Sequence, residues 1–244
     1  MKRAFADLHL RVNSKETQTI ERFIQRAAKF GYRYVSVPFN SEPQNEEVTK
    51  LKEICSNLGI DVVFRADLRP RNENELMHAL RRIRRKFEVI CVVCDSKEVA
   101  RQAAKDRRVD LLNFPSGDYR KRFFDRQEAE LACCGLAALE IDVKPLLVLE
   151  GPSRVWLLSS LRREAAIARE FKVPLIISSG VSDERFMRMP RDMASLAFLF
   201  GLDEASALDA VSSNPLAIIE RNRKKLSKHF VAPGISVVEE GSDP

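Results

Sequence analysis

The sequence repeats one short pattern along most of its length. An apolar run rich in β-branched residues leads into a polar turn, and the turn leads into an amphipathic helix. Val89 to Val93 and Val173 to Ile177 are such apolar runs. Continuous runs of this length are typical of strands buried on both faces, which occur in parallel sheets. The pattern therefore predicts an α/β protein whose helices cross over between parallel strands.

Strand and helix alternate seven times, counted from Phe5, without a long linker or a change of composition. This alternation predicts a TIM-like (β/α) barrel with about seven parallel strands. An open doubly wound sheet is the alternative, since strand order cannot be read from one sequence. No Gly-x-Gly-x-x-Gly or Walker-type loop follows any strand, so the usual nucleotide-binding motifs of the alternative fold are absent.

Extra helices are predicted after the last strand. Pro190 is placed to begin a helix, and Gly201 is placed to end it in a left-handed conformation. Asp203 is predicted to cap a second helix, and Asn214-Pro215 to open a third. We therefore expect one barrel domain with extra C-terminal helices over residues 1–230, followed by a flexible tail over residues 231–244.

The composition limits the class of partner. The chain is 45% hydrophobic and 31% charged over 244 residues, which is typical of a globular protein. Its net charge of +6 favours an anionic partner. No apolar run approaches the roughly 18 residues of a membrane span, and no secretory signal pattern opens the sequence. We expect no membrane partner and a cytoplasmic location.

The spacing of the cysteines argues against a metal or disulfide pair. Cys91 and Cys94 fall in one predicted strand, whose alternation points them to opposite faces. Cys133 and Cys134 are adjacent on a predicted helix and likewise cannot face each other. We expect these four residues to be buried, reduced thiols.

Polar residues cluster after the predicted strands, at the end of a barrel where functional sites are built. They are His9, Arg11, Asn40, Arg65, Asp67, Asp95, Asn113, Glu140, Asp142, Ser178 and Ser179. Carboxylates that converge with His9 could hold a divalent metal that activates water for phosphoester hydrolysis. The turn Ser178-Ser179-Gly180 could bind a phosphate after the seventh strand, or it could be only a tight turn.

Asp7-Leu8-His9-Leu10-Arg11 resembles the Asp-x-His-x-His opening of the polymerase-and-histidinol-phosphatase barrel family, whose metal sites draw several histidines from successive strands. Arg11 takes the place of the second histidine, where a fixed cation repels a metal. His78 and His229 do not follow a strand. We therefore assign no metal ligand and no catalytic residue, and a metal-dependent phosphoesterase is the alternative function.

Three segments are rich in arginine and lysine, at residues 65–86, 101–126 and 221–228. Most basic runs are only solvated helix faces, but the planar fork of arginine suits phosphate. Tyr119 to Phe124 mixes cations with aromatic rings, as RNA contacts do, unless its two phenylalanines belong to the core. The predicted RNA-binding residues are Arg11, Arg65, Arg81, Arg82, Arg85, Arg107, Arg108, Arg120, Lys121, Arg122 and Arg188.

Six motifs, in order along the chain, resemble the ribonuclease P protein component 3 family. They are Phe5 to Arg11, Val109 to Leu112, Ile176 to Gly180, Arg188 to Asp192, Leu199 to Leu202 and Ala210 to Pro215. The resemblance covers roughly Phe5 to Lys225 and fits an archaeal member best. It implies a barrel fold and a subunit of ribonuclease P, the ribonucleoprotein that removes the 5′ leader from precursor tRNA and whose RNA carries the chemistry.

The same resemblance implies the partners of the chain. They are the ribonuclease P RNA, precursor tRNA, other ribonuclease P proteins and, as the direct partner in a heterotetramer, the component 2 family. It implies no cofactor for this chain and magnesium for the RNA of the holoenzyme. We predict a noncatalytic subunit whose basic side chains neutralise phosphates and position the RNA. A purely protein-binding adaptor, whose basic runs contact acidic subunits, is a third class of function.

Overall fold

Seven parallel strands form one sheet in the order of the sequence, each beside the next. The structure is a computed structural model and describes residues 3–12, 16–39, 45–115, 122–232 and 235–236. The strands are β1 (Phe5–Asp7), β2 (Tyr32–Phe39), β3 (Asp61–Leu68), β4 (Val89–Val93), β5 (Leu111–Asn113), β6 (Ala138–Asp142) and β7 (Leu175–Ser178). This strand order excludes the doubly wound alternative, in which the order reverses within the sheet.

The sheet closes on itself just beyond the carboxyl ends of β1 and β7. Leu10 and Val181 form a parallel bridge there. The N–H of Arg11 donates to the carbonyl of Val181 at 2.8 Å, and the N–H of Gly180 donates to the carbonyl of His9 at 2.9 Å. The predicted TIM-like barrel with seven strands is therefore confirmed.

Helices connect successive strands and cover the outside of the barrel. They are α1 (Thr17–Phe30), α2 (Asn45–Asn57), α3 (Glu73–Ile83), α4 (Lys97–Lys105), α5 (Arg126–Gly135), α6 (Lys144–Val148) and α7 (Gly151–Glu170). Side chains of Asn72, Ser96 and Asp125 cap the starts of α3, α4 and α5 by accepting backbone N–H groups. The left-handed Gly31 ends α1 at φ 85°.

Three further helices follow the barrel: α8 (Pro190–Leu196), α9 (Glu204–Ala210) and α10 (Ser213–Leu226). Pro190 begins α8, Gly201 closes the 3₁₀ turn after it at φ 89°, and Asp203 caps α9, as predicted. A short antiparallel pair follows, formed by β8 (Phe230–Ala232) and β9 (Ile235–Ser236). The rest of the predicted tail, residues 233–234 and 237–244, lies outside the described residues.

Helix α10 covers the amino-terminal end of the barrel. Its Ile218 and Ile219 pack with inward-facing residues of the strands, including Leu8, Val63 and Ile176. Next to this contact, Asn222 donates to the buried carboxylate of Asp110 at 2.8 Å. Because this end is closed, the carboxyl end of the barrel is the one at which polar side chains from several strands meet.

The cysteine prediction is confirmed in part. Cys91 lies in the inner cluster that faces the barrel interior, and Cys94 lies in the outer layer beneath the helices. Both are buried and free. Cys133 and Cys134 are also free but exposed, so their predicted burial is wrong. Their helix α5 buries Ala129 and Ala132 instead, and these small residues allow close packing against α4.

Within the described ranges, no helix is both long enough and apolar enough to cross a membrane.

Candidate functional site

The carboxyl ends of five strands bring a polar cluster into the barrel interior. The members of this interior cluster are Asp7, His9, Arg65, Asp67, Asn113, Glu140, Asp142, Ser178 and Ser179. Asp95 lies outside it and pairs with Arg69 at 3.1 Å, whereas Asn40 lies outside the described residues. All members of the cluster except Asp7 were among the polar residues that the sequence predicted at the strand ends, and the structure supplies their pairing.

Arg65 is the centre of the interior cluster and has no exposed side-chain surface. Its two terminal nitrogens donate to the two carboxylate oxygens of Glu140 at 2.6 and 2.7 Å. Its Nε donates to Asp67 at 2.6 Å, and one terminal nitrogen also reaches the carbonyl of Leu8 at 2.7 Å. This bidentate geometry, in which every nitrogen of the guanidinium donates, is what a buried guanidinium requires in order to stay charged.

His9 lies between two carboxylates. Its Nδ1 is 2.8 Å from Asp142 and its Nε2 is 3.2 Å from Asp67. Burial and the charge of Arg65 lower the pKa of His9, but the two carboxylates outweigh them and raise it to about 9. His9 is therefore an imidazolium that donates from both nitrogens, and the Nε of Arg11, 3.3 Å from Nε2, is a packing contact.

The pKa values of the aspartates in the interior cluster are also shifted, by burial and by the neighbouring cations. Burial alone would raise the pKa of Asp142, yet His9 and Arg11 hold it down to about 2. Arg65 likewise holds the pKa of Asp67 below its ordinary value against the effect of burial. Burial raises the pKa of Asp7, and its Oδ2 is buried without a partner among the described residues. The other three carboxylates of the cluster, those of Asp67, Glu140 and Asp142, face the cations Arg11, Arg65 and His9.

The interior cluster does not fit a divalent metal. His9, Glu140 and Asp142 each offer one ligand atom within 4.8 Å of the others. However, Glu140 accepts from Arg65, from Asn113 at 3.0 Å and from Ser178 at 2.7 Å, which occupies both of its oxygens. A metal ligand set needs these lone pairs and a free imidazole nitrogen, whereas both ring nitrogens of His9 face carboxylates. The guanidinium of Arg65 supplies the positive charge that a metal would bring.

The predicted phosphate site at Ser178, Ser179 and Gly180 is corrected. All three residues are buried, and the N–H of Ser179 donates to the carboxylate of Asp7 at 3.0 Å. The N–H of Gly180 and the hydroxyl of Ser179 both donate to the carbonyl of His9. Because these donors are satisfied within the barrel, the segment is the tight turn that closes it.

Two predicted RNA-binding residues face the protein interior instead. Arg65 belongs to the interior cluster. Arg122 is paired with the buried Glu164 of α7, with its Nε at 2.9 Å, and also donates to the carbonyl of Phe114. Phe124 is buried beside it, edge-on to Phe114. These residues belong to the core, since they carry no exposed surface that RNA could contact.

Four predicted RNA-binding residues lie on the outer surface without an ion-pair partner in the described part of the chain. They are Arg81, Arg82, Arg85 and Arg107. They follow one another around the carboxyl ends of the neighbouring helices α3 and α4, which lie at the amino-terminal end of the barrel. We call this group the amino-end basic surface.

Further cations from α3 and α10 lie beside the amino-end basic surface. Burial lowers the pKa of Lys225, and the charges of Arg221, Arg84 and Arg107 lower it further. Arg84 and Arg221 both pair with the buried Asp110, at 3.1 and 2.9 Å. The carboxylate of Asp110 thus neutralises only part of the positive charge of Arg84, Arg221 and the neighbouring arginines. The remaining positive field favours an anionic ligand.

The other predicted RNA-binding residues have different surroundings. Arg108 is held by Asp106 at 2.6 Å, and Arg188 donates to the carbonyls of Arg185 and Met187. Arg11 has about half of its side chain exposed and pairs with Asp142. Arg120 and Lys121 lie outside the described residues.

A group of apolar side chains is exposed on α8 and the 3₁₀ turn that follows it. Met189, Phe198 and Leu199 are each 45–49% exposed. Met187 and Met193, from the same segment, are buried core residues. Met189, Phe198 and Leu199 form what we call the α8 apolar surface, and large exposed apolar side chains of this kind are typical of a protein-binding site.

The comparisons with known proteins agree with the sequence motifs. A family model described as RNase P subunit p30 matches residues 4–227. Ribonuclease P protein component 3 of Methanosarcina barkeri is 32% identical over 225 residues, which cover 91% of each chain. The protein of the same description from Methanosarcina acetivorans is 29% identical over 91% of this chain and 90% of its own length.

Solved structures show the same fold. A chain from a cryo-EM structure of archaeal ribonuclease P with mature tRNA has a TM-score of 0.84 and 19% identity, covering 98% of this chain and all of its own. The ochratoxinase of A. niger has a TM-score of 0.53 and 11% identity, covering 88% and 71%. The chain belongs to the RNase P subunit p30 family.

Proposed function

We propose that the chain is a noncatalytic subunit of ribonuclease P that binds and positions RNA while the RNA cleaves the 5′ leader from precursor tRNA. One observation carries the noncatalytic part: the guanidinium of Arg65 fills the place between Glu140 and Asp67. Reactive carboxylates need a free lone pair or a shifted proton at an accessible position. Here Asp67, Glu140 and Asp142 are each paired with a cation, and the chemistry is left to another component.

The amino-end basic surface is the proposed RNA contact. Its arginines are exposed and unpaired among the described residues, which leaves their guanidinium forks available for phosphate oxygens. Contacts of this kind fix the position of an RNA without reading its bases. Each neutralised phosphate also releases a condensed counterion, so the affinity should fall steeply with salt.

The salt dependence of binding tests this proposal. The triple variant Arg81→Gln, Arg85→Gln, Arg107→Gln is compared with the wild-type chain for binding to ribonuclease P RNA. The variant should bind more weakly, and the slope of log K against log salt should become less steep by about one for each lost phosphate contact. A matched control variant replaces Arg22, Arg126 and Arg185 with glutamine. These three arginines are exposed outside the amino-end basic surface, so the control loses the same three positive charges. Equal slopes for the two variants would contradict the proposal.

The family relationship also supports the proposed partners. One solved structure with this fold is an archaeal ribonuclease P with mature tRNA, so RNA and further protein subunits are the proposed neighbours. We propose the component 2 family as the direct partner, in a heterotetramer, with the α8 apolar surface as the contact. Magnesium would act on the RNA of the holoenzyme, because the interior cluster does not fit a metal.

The alternative function, a metal-dependent phosphoesterase, predicts that the isolated chain binds metal and is active. Such an enzyme would hydrolyse a phosphoester as an isolated chain and would bind Mn²⁺ or Mg²⁺ in stoichiometric amounts. Isothermal titration with both ions, followed by assay of p-nitrophenyl phosphate turnover, measures these properties. Binding and turnover that are both lost in Glu140→Gln would favour the phosphoesterase over the noncatalytic subunit.

A further inference from the structure

A cavity opens at the carboxyl end of the barrel beside the interior cluster, and Asn113 and Asp142 of that cluster form part of its lining. Its volume is about 410 Å³, which lies within the range of small-molecule sites. Three cationic side chains line it, from three different elements: Arg11 after β1, Arg69 after β3 and Lys144 at the start of α6. The cavity is therefore distinct from the amino-end basic surface, which lies at the opposite end of the barrel.

The three cations retain free hydrogen-bond donors. Within the described part of the chain, Arg69 pairs through its Nε with Asp95, at 3.1 Å, and its side chain is 68% exposed. Lys144 donates to the hydroxyl of Ser182 at 2.7 Å, which leaves two of its three N–H groups. Arg11 pairs with Asp142 through one terminal nitrogen. Several N–H groups from different directions can thus reach one anionic group in the cavity.

Among the described residues, one carboxylate lines the cavity, that of Asp142, and its charge is already offset. Asp142 accepts from His9 at 2.8 Å and from Arg11 at 2.9 Å, and it also accepts from Asn113. The imidazolium of His9 lies behind it, away from the cavity. The cavity therefore has a net positive field, and a divalent cation would be repelled from it.

One wall of the same cavity is apolar. Pro115, Pro145 and Val148 line it, and Val148 leaves 44% of its surface exposed. A flat, weakly polar ring would cover these side chains and bury apolar area. A cationic side and an apolar wall within one small cavity match a molecule that joins a phosphate to an aromatic base.

We propose that this cavity binds a phosphorylated nucleotide, with the phosphate on Arg11, Arg69 and Lys144 and the base against the apolar wall. The nucleotide could be free or could be the phosphorylated end of an RNA strand, since both carry the same chemistry. This inference goes beyond the role in ribonuclease P. It is tested on the isolated chain with a mononucleotide, so its failure and that of the RNA-positioning role are distinguishable.

Isothermal titration of the full chain with AMP at low salt tests the proposal. We expect saturable binding, with adenosine at least tenfold weaker because it lacks the phosphate. Arg69→Gln and Lys144→Gln should each raise the Kd roughly tenfold, the effect of losing one hydrogen bond to a charged group. Arg126→Gln is the matched control, because Arg126 is equally exposed and also pairs with a carboxylate, and it should leave the Kd unchanged.

Three results would overturn the proposal: no saturable binding of AMP, equal Kd values for the wild type and both cavity variants, or an equal loss in the control. Thermal unfolding checks that the variants fold.

A competition experiment identifies the source of the ligand. Displacement of AMP by a 5′-phosphorylated, but not a 5′-hydroxyl, oligoribonucleotide assigns the cavity to an RNA end, and AMP binding without displacement assigns it to a free nucleotide.

Discussion

The guanidinium of Arg65 binds both carboxylate oxygens of Glu140, at 2.6 and 2.7 Å, and neither side chain has any exposed surface. The pair crosses the barrel interior from β3 to β6. It places a fixed protein charge at the point where the carboxylates of other strands converge. The stability and the lack of metal affinity that we predict both follow from this pair.

Removal of the Arg65 charge should destabilise the fold strongly. Arg65→Met leaves the buried carboxylate of Glu140 without its counter-charge, which costs about 3–5 kcal/mol for a buried pair. Arg69→Met removes an exposed pair and should cost less than about 1 kcal/mol. Urea unfolding measures both free energies. A further Glu140→Leu substitution should recover part of the loss, because it removes the unpaired charge. A loss below about 1 kcal/mol for Arg65→Met would contradict the assigned pairing.

The stability of the protein should depend on the ionisation of His9. Its folded pKa of about 9 lies above the ordinary value of 6.5. Its contribution is therefore complete below about pH 6.5 and is lost as the pH rises through 9, by roughly 3 kcal/mol at 1.36 kcal/mol per unit. Urea unfolding from pH 6 to 10 measures this decline. The raised pKa of Asp7 acts in the same direction, so the comparison with His9→Gln isolates the histidine, and parallel curves would contradict the assignment.

Gly180 should tolerate no side chain. Its φ is +62°, and an added Cβ would lie 2.6 Å from Cγ of the buried Asp142. Gly180→Ala therefore combines an unfavourable backbone conformation with a clash inside the interior cluster. Gly201→Ala shares the positive φ, at +89°, but meets no atom within 4 Å. Thermal unfolding should show a loss of about 1 kcal/mol for Gly201→Ala and a loss larger by 1–3 kcal/mol for Gly180→Ala.

The α8 apolar surface should control assembly with a component 2 partner. Phe198→Asp places a charge on an exposed position, so the stability of the isolated chain should change by less than about 0.5 kcal/mol. Binding to the partner should weaken at least a hundredfold if Phe198 is buried at the interface. Size-exclusion chromatography and titration with the purified partner measure both. Val155→Asp is the control at an apolar position of α7 that is more exposed, at 65% against 49% for Phe198, and an equal effect there would contradict the assignment.

Much of the fold could be predicted because its signals are local. The bounds of α1, β4 and α4 match the apolar periodicity and the caps that the sequence contains. Pro190 begins α8 through its fixed backbone φ, and Asp203 caps α9 by accepting from the N–H of Ser206, so short segments specify both. The barrel was predicted from the seven alternations of strand and helix along the sequence.

The site was harder to predict because its contacts are distant in sequence. Arg65 stands in a basic run, which is typical of a surface, and its partner Glu140 is 75 positions away. Arg122 was assigned to RNA for the same reason, while Glu164 lies 42 positions further on. One local indication existed, since Arg65 falls within an apolar strand and a fixed charge there requires a buried partner.

The most direct measurement for the central claim is cleavage of precursor tRNA by reconstituted ribonuclease P. The isolated chain should cleave nothing, and addition of the wild-type chain to the RNA and its partner proteins should raise the rate. The variant with Arg81, Arg85 and Arg107 replaced by glutamine should lose at least tenfold in cleavage at physiological salt and regain activity at low salt. Cleavage by the isolated chain, or full activity of the variant at every salt concentration, would contradict the account.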